Sequence, residues 1–440
     1  HLKASLSINE RQTIIEMQHH PLHTAQNQSF SDRFIPLRSS MIENNDYMKE
    51  GSQPRKASLY SDIMKPNRNS IFSYNKKKTK ENALSKFDTP DSSKKSKKRR
   101  MERKPVKILD APCLMDDYYL NLVCWSETNL IGVGLEDSVY FYNFLSNSIV
   151  KHFDLPKVYS GESIPSDEDF SPYICSLSFN SEGKMLATAD SKGQVLISDV
   201  HSNKIISNSA VHSSRIGAVH WQDNMLVTGS RDKIMRLFDV RSKLCRPVYS
   251  FTGHLQEICG LKFSPNSNYI ASGGNDNQLL LWDVRQAQLM ASLGAHEAAV
   301  KALTWSPKNH NVLVSGAGTS DRKLRIFDVS KQEELLCVDT GSQVCNVIFD
   351  KEGDTLLSTH GYSLNQLIVW DADNEYKSLT KEEMLIAHKL RVLYLARSPC
   401  GRYVVTGAGD ETLRIWRVFN GEADGDNQKS VLNRDLFRLR

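Results

Sequence analysis

The sequence lacks the motifs on which many enzymes and membrane proteins depend. It has no apolar run near the roughly 20 residues of a membrane-spanning helix, and no signal peptide stands at its start, so we expect no membrane or secretory function. It has no phosphate-binding loop of the Gly-x-x-x-x-Gly-Lys-Ser/Thr type and no clustered metal ligands. We therefore expect neither a cofactor nor an enzymatic activity.

Cysteine is present but never in a Cys-x-x-Cys pair, which excludes zinc-ribbon and thioredoxin-type sites. The eight cysteines are Cys113, Cys124, Cys175, Cys245, Cys259, Cys337, Cys345 and Cys400. Several lie in apolar, strand-like runs, as in residues 343–349. This pattern predicts buried, reduced thiols in a cytosolic or nuclear protein.

Positive charge is concentrated at one end of the chain. Residues 1–105 hold 22 Lys and Arg against 11 Asp and Glu, a net of +11, and the whole chain is +5, so residues 106–440 carry −6. The basic cluster, residues 94–100, has no interleaved aromatic residue. It is consistent with a nuclear localisation signal, with nucleic-acid binding or with a solvated segment. We expect the protein in the nucleus and cytoplasm.

Two kinds of sequence meet near residue 106. Residues 1–105 are rich in Ser, Asn, Lys and Arg, and they can bury too little apolar surface to offset the entropy of ordering. We predict that this tail is disordered. From residue 106 to 420, short apolar runs alternate with Gly, Asn and Asp, which predicts strands and turns. Residues 421–440 are predicted to be a C-terminal tail.

The strand-rich part contains an internal repeat. Most units end in an aromatic residue followed by Asp, and the second residue of each pair is Asn143, Asp199, Asp239, Asp283, Asp328, Asp371 or Arg417. The intervals are 56, 40, 44, 45, 43 and 46 residues, and the longest carries an acidic insertion, residues 160–169. Seven such units predict an all-β, seven-bladed WD-repeat propeller. Residues 106–109 could add a strand to the last blade and close the ring.

Four histidines precede an aspartate by 20 to 25 residues. The pairs are His212 and Asp232, His254 and Asp276, His296 and Asp321, and His388 and Asp410. A catalytic site is expected once, whereas a pattern repeated from blade to blade is typical of a structural hydrogen-bond network. We interpret each His as a bridge between a turn Asp and a Ser or Trp on a neighbouring strand.

Several motifs resemble the fizzy and fizzy-related activators of the anaphase-promoting complex, a ubiquitin ligase. The segment Asp32-Arg33-Phe34-Ile35-Pro36-Leu37-Arg38 is similar to their C-box. Residues 107–112 and 117–122 resemble the family's entry into the propeller. Further similar blocks are residues 257–262, 272–277, 341–346, 358–363, 391–395 and 407–414, the last of which lean toward the fizzy-related branch.

This resemblance implies a substrate receptor that is not an enzyme. Substrates carry a destruction box, Arg-x-x-Leu, or a Lys-Glu-Asn box. The acids that meet the destruction-box Arg correspond to Asp110 and Glu411, and such a pair suits one guanidinium. For the Lys-Glu-Asn box, the corresponding residues are Asp117 and Tyr118 for Lys, Arg391 for Glu, and Asn275, Asn277, Thr319 and Gln343 for hydrogen bonds. The alternative for Asn275 and Asn277 is an ordinary turn role.

The resemblance also implies two contacts with tetratricopeptide subunits of the ligase. The C-box residues are Asp32, Arg33, Phe34, Ile35, Pro36 and Arg38. Of these, the two arginines would enter acidic pockets and Phe34 and Ile35 would be apolar anchors. Leu439 and Arg440 would dock on a second subunit, although the family usually ends in Ile-Arg. That change and the acidic insertion point to a divergent member, such as a meiotic one.

Other features keep more than one interpretation. Lys80-Glu81-Asn82 is a self-destruction signal, an internal pseudosubstrate or a chance match. Pseudosubstrate inhibitors could also use the substrate sites. Phosphorylation at Thr89, which precedes Pro90, would add negative charge beside the basic cluster. The alternative to an activator is a WD-repeat scaffold with a nucleic-acid-binding tail, which leaves the C-box unexplained, so nucleic acid is not the expected partner.

Overall fold

The computed structural model describes residues 103–159, 171–242, 246–294 and 296–420. Several predictions therefore lie outside the described residues. They concern the disorder of the tail, the C-box, the basic cluster, residues 80–82, Thr89, the acidic insertion, Leu439 and Arg440.

The described residues form seven four-stranded antiparallel sheets, which are the blades. Blade 1 contains β2 (Val123–Trp125), β3 (Leu130–Leu135), β4 (Ser138–Asn143) and β5 (Ile149–Asp154), and a short helix α1 (Leu155–Tyr159) follows it. Blade 2 contains β6 (Ile174–Phe179), β7 (Met185–Asp190), β8 (Gln194–Asp199) and β9 (Lys204–Ala210). Blade 3 contains β10 (Ala218–Gln222), β11 (Met225–Gly229), β12 (Ile234–Asp239) and β13 (Tyr249–Thr252).

The remaining four blades repeat this plan. Blade 4 contains β14 (Ile258–Phe263), β15 (Tyr269–Gly274), β16 (Leu279–Asp283) and β17 (Gln288–Ser292). Blade 5 contains β18 (Val300–Trp305), β19 (Val312–Ala317), β20 (Lys323–Asp328) and β21 (Glu333–Asp339). Blade 6 contains β22 (Val344–Phe349), β23 (Thr355–His360), β24 (Gln366–Ala372) and β25 (Leu379–Ile386). Blade 7 contains β26 (Val392–Arg397), β27 (Tyr403–Ala408), β28 (Thr412–Arg417) and β1 (Lys107–Asp110).

The blades form a closed ring. The first strands of neighbouring blades contact one another in the order β2, β6, β10, β14, β18, β22, β26 and back to β2. Strand β1 pairs with β28 in antiparallel register, from Lys107 opposite Ile415 to Asp110 opposite Thr412. This confirms both the seven-bladed propeller and the predicted closing strand, since the chain's first strand completes its last blade.

Burial follows the position of a strand within its blade. All six residues of β18, a first strand, are buried, whereas β9, a fourth strand, alternates between exposed and half-buried residues. The first strands pack closely. A Cβ on Gly273 would lie 2.2 Å from the carbonyl oxygen of Val300, so only glycine fits where blade 4 meets blade 5. The core therefore lies around the central channel and between adjacent blades.

The His/Asp pairs are structural, as predicted. In blade 4, His254 Nδ1 lies 3.1 Å from Asp276, and Ser272 Oγ lies 2.8 Å from both His254 Nε2 and the Trp282 indole nitrogen. In blade 7 the same network joins His388, Asp410, Thr406 and Trp416. The other two pairs bond in the same way, His212 to Asp232 and His296 to Asp321.

Blade 6 builds the same network from a different position. His360, at the end of β23, lies between Ser342 Oγ at 3.1 Å and Ser358 Oγ at 2.7 Å. The Trp370 indole also donates to Ser358 Oγ, at 2.8 Å. The histidine of this blade thus lies on the second strand, and Ser342 bonds to its Nδ1 atom, where an aspartate bonds in four other blades.

The cysteines match the prediction only in part. The seven described cysteines are all free thiols, and Cys175, Cys259 and Cys345 are buried in first strands. The prediction of burial is wrong for Cys113 and Cys337, which are exposed. Cys337 lies on the fourth strand of blade 5, at the outer edge of the ring, and Cys113 lies in the segment between β1 and β2.

The antiparallel order divides the turns between two ends of the propeller. We call one end the upper face. It consists of the segments that join the fourth strand of one blade to the first strand of the next, and of the turns between second and third strands. The lower face carries the turns between first and second strands and between third and fourth strands.

Candidate functional site

Every predicted site residue within the described part of the propeller lies on the upper face. Segments between blades carry Asp117, Tyr118, Gln343 and Arg391, and turns between second and third strands carry Asn275, Asn277, Thr319 and Glu411. Asp110 is the last residue of β1, at the same end. Residues that are up to 301 positions apart in sequence therefore share one surface of the molecule.

Two acidic residues lie on adjacent backbone segments where the ring closes. Asp110 is exposed and pairs with Thr412, and the next residue, Ala111, donates its backbone N–H to the Glu411 carbonyl at 2.8 Å. Glu411 is half-buried and has a positive φ of 59°, which holds it at the tip of the turn between β27 and β28. The ladder that closes the ring thus brings these two acidic residues side by side.

A second acidic group lies where the first strands begin. Arg215 Nη1 is 2.9 Å from Asp117 Oδ2, and Arg215 Nε and Nη2 bind Glu257 at 2.7 and 2.9 Å. Burial would lower the pKa of Arg215, but its hydrogen bonds to Glu257 and the charge of Asp117 raise it. The side chain of Asp117 is 25% exposed, so it is the member of this group that a ligand can reach.

Arg391 is held by Asp116, the residue that precedes Asp117 in the segment between β1 and β2. Its Nε and Nη2 bind Asp116 Oδ1 at 3.1 and 3.0 Å, and Nη2 also donates to the Asp116 carbonyl at 3.0 Å. Its guanidinium carbon lies 5.9 Å from the centre of the Tyr362 ring. The Nη1 group makes no hydrogen bond within the described part of the chain, which leaves donors for an incoming carboxylate.

The adjacent residues Tyr118 and Tyr119 direct their hydroxyl groups to different partners. Tyr118 is 2% exposed, and its hydroxyl lies 3.2 and 3.1 Å from the carbonyl oxygens of Ala299 and Val344. Tyr119 donates its hydroxyl to Asn275 Oδ1 at 2.9 Å. The geometry therefore assigns Tyr118 to the centre of the ring and links Tyr119 to a predicted site residue.

The other predicted residues are distributed around the same face. Asn277 has a positive φ of 64° and donates its backbone N–H to the Gly274 carbonyl, so its backbone forms part of the turn. Thr319 is half-buried in the turn between β19 and β20. Gln343 is 1% exposed and lies against Gly361.

Sequence reasoning missed Arg215, Glu257 and Asp116, the residues that hold Asp117 and Arg391. Arg215 and Glu257 are charged residues three positions and one position before a first strand, and Asp116 directly precedes Asp117. A charged residue at that position is unusual because the following strand is buried. A charge before a buried strand was therefore the available sign of a functional or structural role, but it does not identify the residue to which that charge binds.

Two negative findings concern the described residues. No group of three or more His, Cys, Asp and Glu side chains among them could hold a metal ion. Among the same residues, no helix is long and apolar enough to cross a membrane.

Comparison with known proteins identifies similar chains. A family model described as the CDC20/Fizzy WD40 domain matches residues 109–416. The B-type cell cycle switch protein ccs52A of Medicago truncatula is 42% identical over 76% of this chain and 66% of its own length. Protein FIZZY-RELATED 1 of Arabidopsis thaliana is 38% identical over 92% of this chain and 88% of its own. Meiotic fizzy-related protein 1 of Schizosaccharomyces pombe is 39% identical over 73% of this chain and 72% of its own length.

These figures set the extent of the similarity. The chain spans just under two thirds of the length of the Medicago relative. Among solved structures, a chain in the crystal structure of a mitotic checkpoint complex matches with a TM-score of 0.68 and 35% identity. That match covers 78% of this chain and 99% of the other.

Proposed function

Because the chain belongs to the CDC20/Fizzy family, in its fizzy-related branch, we propose that it activates the anaphase-promoting complex by recruiting substrates to it. A relative from Dictyostelium discoideum is named as an anaphase-promoting complex subunit, which supports this assignment. In this role the chain is a receptor and not a catalyst. Its partners are ligase subunits and degron-bearing proteins, and pseudosubstrate inhibitors would compete for the same sites.

The observation that carries the proposal is the adjacency of Asp110 and Glu411. We assign them to the Arg of a destruction box, because two carboxylates at one edge can share a guanidinium through charge-assisted hydrogen bonds. Asp110 is exposed and Glu411 is half-buried, so a peptide can reach both. Asp110 forms no ion pair within the described part of the chain. An incoming arginine would therefore not have to displace a basic side chain from it.

A Lys-Glu-Asn box would use the neighbouring surface of the upper face. Asp117 is the accessible acid for Lys, and the unbonded Nη1 of Arg391 is the donor for Glu. Asn275, Asn277 and Thr319 would contribute hydrogen bonds to the peptide. Gln343, which is 1% exposed, would act by supporting the backbone around Gly361. Tyr118, which is buried, would act by fixing the position of Asp117 and not by meeting Lys through its hydroxyl.

Ligase binding is assigned to the two ends of the chain. The C-box, Asp32 to Arg38, would bind one tetratricopeptide subunit, and Leu439 with Arg440 a second. The 92% coverage by the Arabidopsis relative supports a tail of the same family type. The basic cluster favours a nuclear as well as a cytoplasmic location. A substrate that is held by two weak contacts would bind more tightly than either contact alone allows, because the first contact raises the effective concentration for the second.

The test is reconstituted ubiquitination of a destruction-box substrate by purified anaphase-promoting complex. The wild-type chain should stimulate the reaction, Arg38→Ala should abolish stimulation, and Asp110→Asn should reduce it for destruction-box substrates only. An exposed arginine on the lower face, Arg241, gives the matched control as Arg241→Ala. Full stimulation by Arg38→Ala would refute the C-box assignment. No stimulation by a folded wild-type chain would favour the nucleic-acid-binding scaffold instead.

A further inference from the structure

The central channel widens into a cavity at the lower end of the propeller. Its volume is about 680 Å³, which is within the range of small-molecule sites. It is lined by first strands from all seven blades and reaches lower-face turns that contain Ser126, Asn180, Pro265 and Lys351. The cavity therefore opens at the end opposite the residues assigned to degrons.

The charge of this cavity is opposite to that of the domain around it. Residues 106–440 carry −6 in total, yet the cavity lining includes four basic side chains and one acidic one. The basic residues are Lys262, Lys301, Lys351 and Arg397, and the acid is Glu127, which is exposed. Positive charge concentrated in a concave site with low-dielectric walls attracts anions.

Two of the cations form no ion pair with a described residue. Lys262 on β14 is half-buried, and its ammonium makes no hydrogen bond or ion pair within the described part of the chain. Arg397 on β26 donates one hydrogen bond, from Nη1 to the Phe349 carbonyl at 2.6 Å, and forms no ion pair with a described carboxylate. Burial lowers its pKa more than the charges of Asp350 and Glu127 raise it. Blades 4 and 7 are three places apart in a ring of seven, so these side chains face one another across the channel.

The electrostatics agree with this geometry. Burial, together with the charge of Arg397, lowers the pKa of Lys262 to about 8, so the ammonium is still mostly protonated at pH 7. Lys301 differs, because it donates to the Leu393 carbonyl at 3.1 Å and lies against the rings of Tyr118 and Tyr394. Half-buried cations without a partner destabilise the fold. A bound anion would remove that cost.

We propose that the lower channel is a binding site for a small anion with two or more phosphate groups. Lys262 and Arg397 would hold it from opposite sides, and Lys351 would stand at the mouth. A guanidinium presents donors in a fork that matches phosphate oxygens, and several cations favour a multiply charged ligand. Thr304 also lines the cavity, and its hydroxyl makes no hydrogen bond within the described residues, so it offers a further donor.

The site is independent of degron binding. Its lining residues belong to first strands and lower-face turns and include none of the residues assigned to a degron. Failure of the phosphate test would therefore leave the proposed function intact, and failure of the ubiquitination test would leave this site intact.

The experiment titrates the full chain with tripolyphosphate and measures the dissociation constant by calorimetry and the unfolding midpoint by thermal scan. Lys262→Met should weaken binding at least tenfold. It should raise the midpoint without ligand and abolish the rise caused by tripolyphosphate. A matched control is Lys184→Met, since Lys184 lies in a lower-face turn, is exposed and pairs with Glu182. Its affinity should equal that of the wild type.

Further measurements distinguish the proposed site from anion binding by the basic tail and from a site for other anions. The basic tail also attracts polyanions, but that binding is unaffected by Lys262→Met, so equal affinity in wild type and variant overturns the proposal. Citrate or orthophosphate binding as tightly as tripolyphosphate overturns the assignment of several phosphate groups. If Lys262→Met does not fold, Arg397→Gln takes its place, and unchanged affinity there is equally decisive.

Discussion

Arg215 binds Asp117 across 98 residues of sequence, with Nη1 2.9 Å from Oδ2. The same guanidinium binds Glu257, which is 8% exposed. Arg215 therefore orients Asp117, which a ligand can reach, and neutralises Glu257, which a ligand cannot reach. Stability and recognition on the upper face depend on the same side chain.

We expect Arg215→Ala to lower the free energy of unfolding by about 3 kcal/mol, because it leaves a buried carboxylate unpaired. Chemical denaturation measures this change. The double variant Arg215→Ala/Glu257→Ala should recover part of the loss. Arg241→Ala, which breaks an exposed pair with Asp239, should cost less than about 1 kcal/mol. Equal losses for the two arginines would contradict the role of burial.

Asp110→Asn and Glu411→Gln should each weaken binding of a destruction-box peptide about tenfold or more, since each removes a charged hydrogen-bond partner worth about 1.5–3 kcal/mol. Both substitutions keep the side-chain shape. Fluorescence anisotropy with labelled peptides measures the affinities. A Lys-Glu-Asn peptide should bind both variants normally, and Glu182→Gln, on the lower face, should bind both peptides normally. Unchanged destruction-box affinity would refute the assignment.

Stability should fall in acid partly because of His360. Burial lowers the pKa of this residue to about 3, below its ordinary value of 6.5. Its neutral form therefore contributes fully above pH 6.5, and the contribution is lost as the pH falls from 6.5 toward 3. At pH 5 the loss is about 2 kcal/mol.

Denaturant titrations between pH 7 and pH 5 measure this dependence. In His360→Gln the slope of unfolding free energy against pH should be smaller than in the wild type. His201→Gln is the control, because His201 is exposed. The same slope in all three chains would show that other groups dominate.

Removal of the closing strand should weaken the whole ring. Truncation of residues 1–110 deletes β1 and leaves β28 without its outer partner, so the unfolding free energy should fall by about 4 kcal/mol at about 1 kcal/mol per ladder hydrogen bond. Truncation of residues 1–102 retains β1 and should leave the thermal midpoint unchanged. Similar midpoints for the two truncations would mean that β1 contributes little to closure.

Regular spacing made the fold predictable. Aspartates that recur every 40 to 45 residues mark the third strand of most blades, and a strand-like segment ahead of the first unit had one obvious partner. The histidine network of blade 6 was not predictable, because Thr340 stands four residues before β22, where three other blades have His, and His360 approaches from the second strand. The burial of Tyr118 was also inaccessible, since it depends on carbonyl groups 181 and 226 residues away. The roles assigned to individual residues of the upper face stay predictions.

The position of β1 also has a mechanical consequence. The chain enters β1 from the lower end, beginning with the hydrogen bond from Val106 N–H to the Ile415 carbonyl, and leaves it at Asp110 on the upper face. Tension applied to the chain before Val106 would load that first bond and peel the strand upward. The contact of Ala111 with Glu411 would be the last to open. A pull on the N-terminal side would therefore leave the Asp110–Glu411 pair assembled until nearly all of β1 had detached.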